Sequence, residues 1–270
     1  QICADALCRP PNVFDQVLCD TDLTADAGKT SASRQTFVTG KAAYLAGRDL
    51  RAQILRLANA GDGGELRLEG TRLFVRDGDR DTEVPLRSLS ATDEVGTILT
   101  GEGQFDPPTE PLDENGQGKP YATYGFAAQI ADLDVDLELG TVQLRRIIAA
   151  HDVGRAINPN LVEGQIYGGI AQGIGLALRE EFIPGHTENL HDYLIPTVGD
   201  VPEIDIILIE DPEPLGPYGA KGIGEPALIP TAPAIFSAIR HATGIKVTRV
   251  PLLPHRLHAA LQAQHLCGGE

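Results

Sequence analysis

The chain has 270 residues, enough for one large domain or two small ones and for a real buried core. Its formal net charge of −16 argues against nucleic-acid or anionic-membrane partners, because phosphate binding needs clustered Lys and Arg. No stretch is apolar for long enough to span a bilayer, and nothing at the N-terminus reads as a signal peptide, so a soluble, cytoplasmic protein is expected.

Gln1-Ile-Cys-Ala-Asp-Ala-Leu7 reads as part of a helix with no capping residue before it. Cys3 and Cys8 have the first spacing of a plant-type ferredoxin run, but Cys19 comes far too late to continue it. Cys267 stands alone near the other end. These spacings give no cluster or zinc set, and they fit small buried hydrophobes with one tail thiol. Asp20 to Gln35 is rich in Thr, Ser, Asp and Gly and reads as loop. Within it, Ser31-Ala-Ser-Arg-Gln-Thr36 enters a helix; taken alone, such hydroxyls are most often helix caps, though backbone N–H groups there also make an anion site.

The helix that follows carries Ala43, Ala46, Leu50, Ile54 and Leu57 along one face and ends at Gly61-Asp-Gly-Gly64. Leu66-Arg-Leu-Glu and Leu73-Phe-Val-Arg form an expected hairpin around Gly70. Residues 101–120 read as an exposed loop. Asp132 to Leu139 alternates strictly, with Leu133, Val135, Leu137 and Leu139 on one face and carboxylates on the other. Those carboxylates lack the glycine-bearing loop of a calcium site and read as a solvated strand face. Gly140-Thr141 turns the chain into Val142-Gln-Leu-Arg-Arg-Ile-Ile, where Arg145 or Arg146 is placed to pair with them.

Asn158-Pro159 starts the next helix, with Asn as N-cap and Pro pre-set at the first helical position. That helix holds Gly164, Gly168, Gly169, Gly173 and Gly175. Each interior glycine costs roughly 1 kcal/mol relative to alanine, so close packing against another backbone or a bulky ligand is expected in return. Gln165 and Gln172 project from one side. His151-Asp152 is read as structural, since neighbours on a strand point opposite ways and no Gly-x-Ser-x-Gly elbow accompanies the pair. His255-x-x-His258 lacks a matching third ligand and is also read as structural.

Gly216-Pro-Tyr-Gly-Ala-Lys-Gly-Ile-Gly-Glu-Pro226 holds a single carboxylate, Glu225, amid four glycines. The glycines leave a slim backbone able to press close to a ligand or take positive φ. Pro226 biases Glu225 toward an extended conformation. A carboxylate on such a loop is one way to present a general base. Lys221 reads either as a modulator of that carboxylate or as a plain surface lysine.

Three runs, Ser31–Thr36, His151–Glu181 and Gly216–Pro226, come in an order that resembles the molybdenum-binding subunit of the xanthine dehydrogenase/aldehyde oxidoreductase family. The resemblance covers nearly the whole chain, from Asp20-Thr21-Asp22 to the last helix. It implies an α+β fold with mixed sheets and packed helices, of the molybdopterin-binding type. Ala32, Ser33, Arg34, Gln35, Gln165, Gly222 and Gly224 are expected to hold the pterin, and no protein ligand to molybdenum is expected. Glu225 is expected to be the general base, partly buried, in a hydroxylation that draws its oxygen from water. His191-Asp-Tyr-Leu-Ile-Pro196 is expected to pack near the site.

The implied cofactors are molybdenum–molybdopterin, with a cytosine dinucleotide as one form, and 2Fe–2S clusters and FAD on partner chains or domains. An aldehyde is the first expected substrate, with purines and other N-heteroaromatics as the alternative; an inactive structural subunit is a further option. The chain has no methionine and opens inside a helix. It is expected to be the C-terminal part of such a subunit, with α/β subdomains near 1–120 and 121–270 and no upstream domain of its own. Partners would be the N-terminal part of the molybdenum subunit, an iron–sulfur subunit and an FAD subunit. As one wall of a cofactor pocket, it should expose an apolar interface when alone.

Overall fold

The computed structural model describes residues 1–91 and 96–267, with side chains up to residue 264. They divide into two compact units. The first comprises Gln1–Ala122 and Glu213–Ala220, the second Thr123–Pro212 and the chain from Lys221 onward.

In the first unit, α1 (Ile2–Ala6) packs on α2 (Gly40–Leu57). The buried positions of α2 are Gly40, Gly47, Ile54 and Leu55. A Cβ on Gly47 would sit 2.8 Å from both the Ala6 Cβ and the Cys3 carbonyl oxygen, so α1 needs that glycine to approach. The helix is placed as its periodicity predicts, but its inner face is rotated. Leu57 is 38% exposed, and Leu55 takes its place in the core. The hairpin of β1 (Glu65–Glu69) and β2 (Arg72–Asp77) turns at Gly70, whose φ is +59°. A further strand, β3 (Arg80–Glu83), extends it to a three-stranded antiparallel sheet. Leu66, Val75 and Val84 pack with Leu7, Ile54 and Leu55 as the core. Residues 101–105 are not a free loop: Gly101 and Gly103 lie against the α2 backbone, and Phe105 meets Phe37 edge-on at 5.7 Å.

In the second unit, β4 (Ala127–Asp136) pairs antiparallel with β5 (Thr141–Asp152), which pairs parallel with β6 (Glu203–Ile209). The alternating run therefore forms a strand, as expected, but one that starts earlier and stops at Asp136. Asp136 Oδ1 accepts from the N–H groups of Glu138 and Leu139, and this turn leaves Leu137 and Leu139 exposed. Leu133 and Val135 do pack inward. Arg145 pairs with Asp134, while Arg146 turns to Asp205 on β6.

A parallel partner requires a crossover, supplied by α3 (Pro159–Leu178) and the segment after it. Asn158 caps α3, its side-chain oxygen accepting from Leu161 N–H at 3.2 Å. With α4 (Thr231–Thr243) and α5 (Pro254–Cys267), α3 covers the sheet face that carries Ile147 and Ala149. Ile130 and Ile207, on β4 and β6, are 66% and 51% exposed. Cys3, Cys8 and Cys19 are free thiols; Cys3 is half-buried, and the other two are exposed rather than core residues. The Cys267 thiol lies outside the described residues.

The α3 glycines explain their cost selectively. A Cβ on Gly173 would lie 2.4 Å from Thr231 Cβ, and one on Gly169 would lie 2.6 Å from Ala227 Cβ. Gly173→Ala is therefore expected to destabilise the protein by about 1–3 kcal/mol through overpacking. A thermal melt followed by circular dichroism with an unchanged midpoint would refute this close approach.

Candidate active site

The segment bearing Glu225 belongs to the second unit from Lys221 onward, and it is fastened at both ends. At its start, Lys221 N–H donates to the Val153 carbonyl at 3.0 Å. The Lys221 ammonium donates to Asp152 Oδ2 at 2.6 Å, with both side chains only 6% exposed. Asp152 Oδ1 accepts from Gly154 N–H at 3.0 Å, so both carboxylate oxygens are engaged. Asp211, at the exposed rim, lies 3.7 Å from the ammonium. Lys221 is thus not a surface lysine. It is a buried ion-pair partner.

At the other end, Glu225 opens a turn into α4. Its carbonyl accepts from the N–H groups of Leu228 at 3.0 Å and Ile229 at 3.4 Å. The Ala227 carbonyl, two residues on, accepts from Gln129 Nε2 at 3.0 Å and from the Thr231 hydroxyl at 3.1 Å. The same hydroxyl donates to Gln129 Oε1 at 2.8 Å, and Gln129 Nε2 lies 3.2 Å from His151 Nε2. Burial holds the His151 imidazole below its usual range, which favours the neutral ring. A neutral His151 accepting at Nε2 carries its proton on Nδ1, and that atom has no hydrogen-bond partner among the described residues. His151 and Asp152 do point opposite ways, and each joins a different fastening of the same loop.

Ala227 and Thr231 are the residues that Gly169 and Gly173 admit, so the Glu225 turn rests directly on α3. Glu225 itself is exposed, in contrast to the partial burial expected from sequence. The turn buries Ala227 instead and leaves the carboxylate at the rim. Gly224 is exposed beside it, and Gly222 is half-buried.

Gly164 and Gly168 have no such neighbour. A Cβ on Gly164 or Gly168 would meet nothing within 4 Å. Gln165 and Gln172 are exposed on the same side, giving a bare helix face flanked by two amides. Gly175 faces Glu180 and Pro196, and Tyr193 O–H donates to Glu180 Oε2 at 2.6 Å. Tyr193 and Pro196 thus pack the His191–Pro196 segment near the end of α3, while Leu194 and Ile195 are exposed. His258 belongs to α5, where its Nε2 lies 3.4 Å from Gln262.

In the first unit, Ser31–Arg34 forms a tight turn, with Arg34 N–H donating to the Ser31 carbonyl at 3.3 Å. Both central residues, Ala32 and Ser33, are left-handed, at φ +54° and +53°. Two successive non-glycine residues in that region are costly, and such backbone is characteristic of functional loops. A π-helical turn, Gln35–Thr39, leads directly into α2. Its N-cap residue, Arg34, makes no side-chain capping bond; Thr30 accepts from the Gln35 amide at 2.8 Å, and Thr39 donates to that amide's oxygen at 2.7 Å. The glycine-rich run reaches this unit too, where Tyr218 takes φ +54° and Gly219 φ +90°. Burial, aided by the Asp5 carboxylate, pushes the Tyr218 phenol up to about 12, so it stays protonated.

Of the residues singled out from sequence, Gln165, Gly222, Gly224 and Glu225 share the second unit, and Ala32 to Gln35 lie in the first. Sequence reasoning missed the Asp152–Lys221 pair and the Gln129–His151–Thr231 network. One signal was available: the run Ile147-Ile-Ala-Ala-His-Asp152 is apolar on both faces until its last two residues, which marks them as buried.

Comparison with known proteins shows the family of the chain. Residues 1–202 match the molybdopterin cofactor-binding domain family. The chain is 35% identical over 266 residues to the putative xanthine dehydrogenase molybdenum-binding subunit XdhA of Escherichia coli (strain K12), covering 92% of this chain and 33% of that protein. It is 32% identical over 247 residues to the aldehyde oxidoreductase of Megalodesulfovibrio gigas, covering 90% of this chain and 25% of that protein. The solved structure of the aldehyde oxidoreductase from Desulfovibrio gigas superposes with a TM-score of 0.80 at 28% identity, covering 97% of this chain and 27% of that one.

The chain belongs to the molybdopterin cofactor-binding domain family of the xanthine dehydrogenase and aldehyde oxidoreductase type. It spans about a third or less of the length of these relatives. The residues present fit the group. Gly164 and Gly168 leave room for a flat heterocycle, and the Gln165 and Gln172 amides offer donors and acceptors for its edge.

The buried pair makes a measurable demand. Lys221→Met leaves Asp152 as a buried, unpaired carboxylate and is expected to cost about 3–5 kcal/mol. Chemical denaturation showing a loss below 1 kcal/mol would mean that the pair is not closed to water.

Proposed function

We propose that this chain forms part of a molybdenum-dependent hydroxylase in which Glu225 is the general base. The observation that supports the reading is the seating of the Glu225 turn on α3, the helix that also carries the bare positions Gly164, Gln165 and Gly168. In this reading Gln165, Gly222 and Gly224 are the cofactor-binding positions of the second unit. Ala32, Ser33, Arg34 and Gln35 are those of the first. When bound, the cofactor supplies a Lewis acid and a two-electron acceptor. Glu225 acts by taking a proton at a carboxylate oxygen from the water-derived nucleophile as it attacks the substrate carbon. The amides of Gln165 and Gln172 orient the heterocycle through paired donor and acceptor contacts.

The chain is read as the C-terminal part of a larger molybdenum subunit, completed by its N-terminal part. Electrons leave through iron–sulfur clusters on a partner, with an FAD subunit as a further acceptor. An aldehyde oxidised to a carboxylic acid is the first substrate reading, supported by the 0.80 TM-score to an aldehyde oxidoreductase. The 35% identity to a xanthine dehydrogenase subunit favours a second, hydroxylation of a purine or another N-heteroaromatic. No helix among the described residues is long and apolar enough to cross a membrane.

Glu225→Gln is expected to lower turnover by about 10²–10⁴-fold, the range typical of lost general-base catalysis, with molybdenum content unchanged. Full metal loading with undiminished turnover removes Glu225 from the chemistry.

Gly168→Leu tests the cofactor face separately. The chain's own stability should not fall, since leucine favours a helix over glycine by close to 1 kcal/mol. Molybdenum content in the purified complex should drop severalfold. A folded variant with full molybdenum content would place the cofactor elsewhere.

A further inference from the structure

We propose that Asp152 and Lys221 are positioning residues for Glu225, a clamp that fixes where the carboxylate is presented. This rests on the reading of Glu225 as the base and adds the part of the fold that aims it.

The clamp joins two segments 69 residues apart in sequence. Asp152 is the last residue of β5, whose backbone continues its pairing with β6 through Val153 N–H to the Ile209 carbonyl at 3.0 Å. It is therefore part of a rigid sheet. Lys221 lies four residues before Glu225 and is tied to that sheet end twice, by its backbone N–H to Val153 and by its ammonium to Asp152. Beyond Glu225, the Ala227 carbonyl is held by Gln129 from β4 and by Thr231. Between these two fixed points only Gly222, Ile223 and Gly224 precede the carboxylate.

Glycines give this short span freedom that its anchors must remove. A pair of apolar side chains would fill the same volume, and buried ion pairs are often no more stabilising than such a replacement. What an apolar pair lacks is direction. The 2.6 Å contact, with both side chains nearly closed to water, sets the start of the span to one place. A shift of about 1 Å in a catalytic group is enough to cost on the order of 10²-fold in rate.

The test is the double variant Asp152→Asn/Lys221→Met in the molybdenum-loaded complex. Asn keeps an oxygen for Gly154 N–H, and Met keeps the lysine stem without leaving a buried charge. The expected result is near-normal molybdenum content, kcat lowered about 10–100-fold, and KM within threefold of the parent. Hydrogen exchange should quicken at least tenfold at Ile223–Leu228 and stay unchanged in α3. A kcat within twofold of the parent, or unchanged exchange in that segment, overturns the proposal.

Asp152→Glu serves as the second variant should the double one not fold. It keeps both charges but moves the ammonium by one methylene, so kcat should again fall with KM little changed; a kcat within twofold of the parent overturns the proposal equally. Glu225→Gln is measured alongside. If that variant keeps full turnover, the base reading falls, and the exchange measurement then decides the clamp without reference to activity.

Discussion

The close approach of α3 to the Glu225 turn is the constraint on which the second unit depends. Gly169 and Gly173 let Ala227 and Thr231 sit against the helix backbone, at distances where any Cβ would clash. That approach closes the core: Ile166, Ile170 and Ile174 of the same helix meet Ile147, Ile235 and Leu257. It also brings the polar atoms of the turn into a buried setting, where each needs a partner. Gln129 and Thr231 satisfy the Ala227 carbonyl, and Asp152 satisfies Lys221. Packing and polar fastening are therefore one arrangement. The glycines admit the turn, and the hydrogen bonds decide how it lies.

The division of the α3 glycines follows from helical geometry. Gly169 and Gly173 are one turn apart and face inward, while Gly164 and Gly168 share a different side with Gln165 and Gln172. Internal packing does not account for Gly164 and Gly168, where glycine costs close to 1 kcal/mol and a Cβ would meet nothing within 4 Å among the described residues. Their bareness is the physical argument for an occupant outside the chain's own core. A flat heterocycle bordered by amides suits that space.

Much of this was legible in the chain. The hairpin at Gly70, the Asn158 cap and the alternation of β4 follow from local chemistry, and local chemistry is what sequence carries best. The three motif runs carried the family. What was not legible depends on pairings across long stretches of chain. Lys221 looks like any lysine until Asp152, 69 residues earlier, is placed beside it. The five α3 glycines look equivalent until Ala227 and Thr231 show which of them are occupied. Leu57 and Leu55 exchange roles because α1 docks on Gly40 and Gly47, which rotates the inner face of α2. Leu137 and Leu139 keep the strand's alternation past the point where Asp136 has already turned the chain.

The exposure of Glu225 follows from the same logic. The turn places Ala227 in the core and Glu225 at the rim, and it is anchored through its backbone.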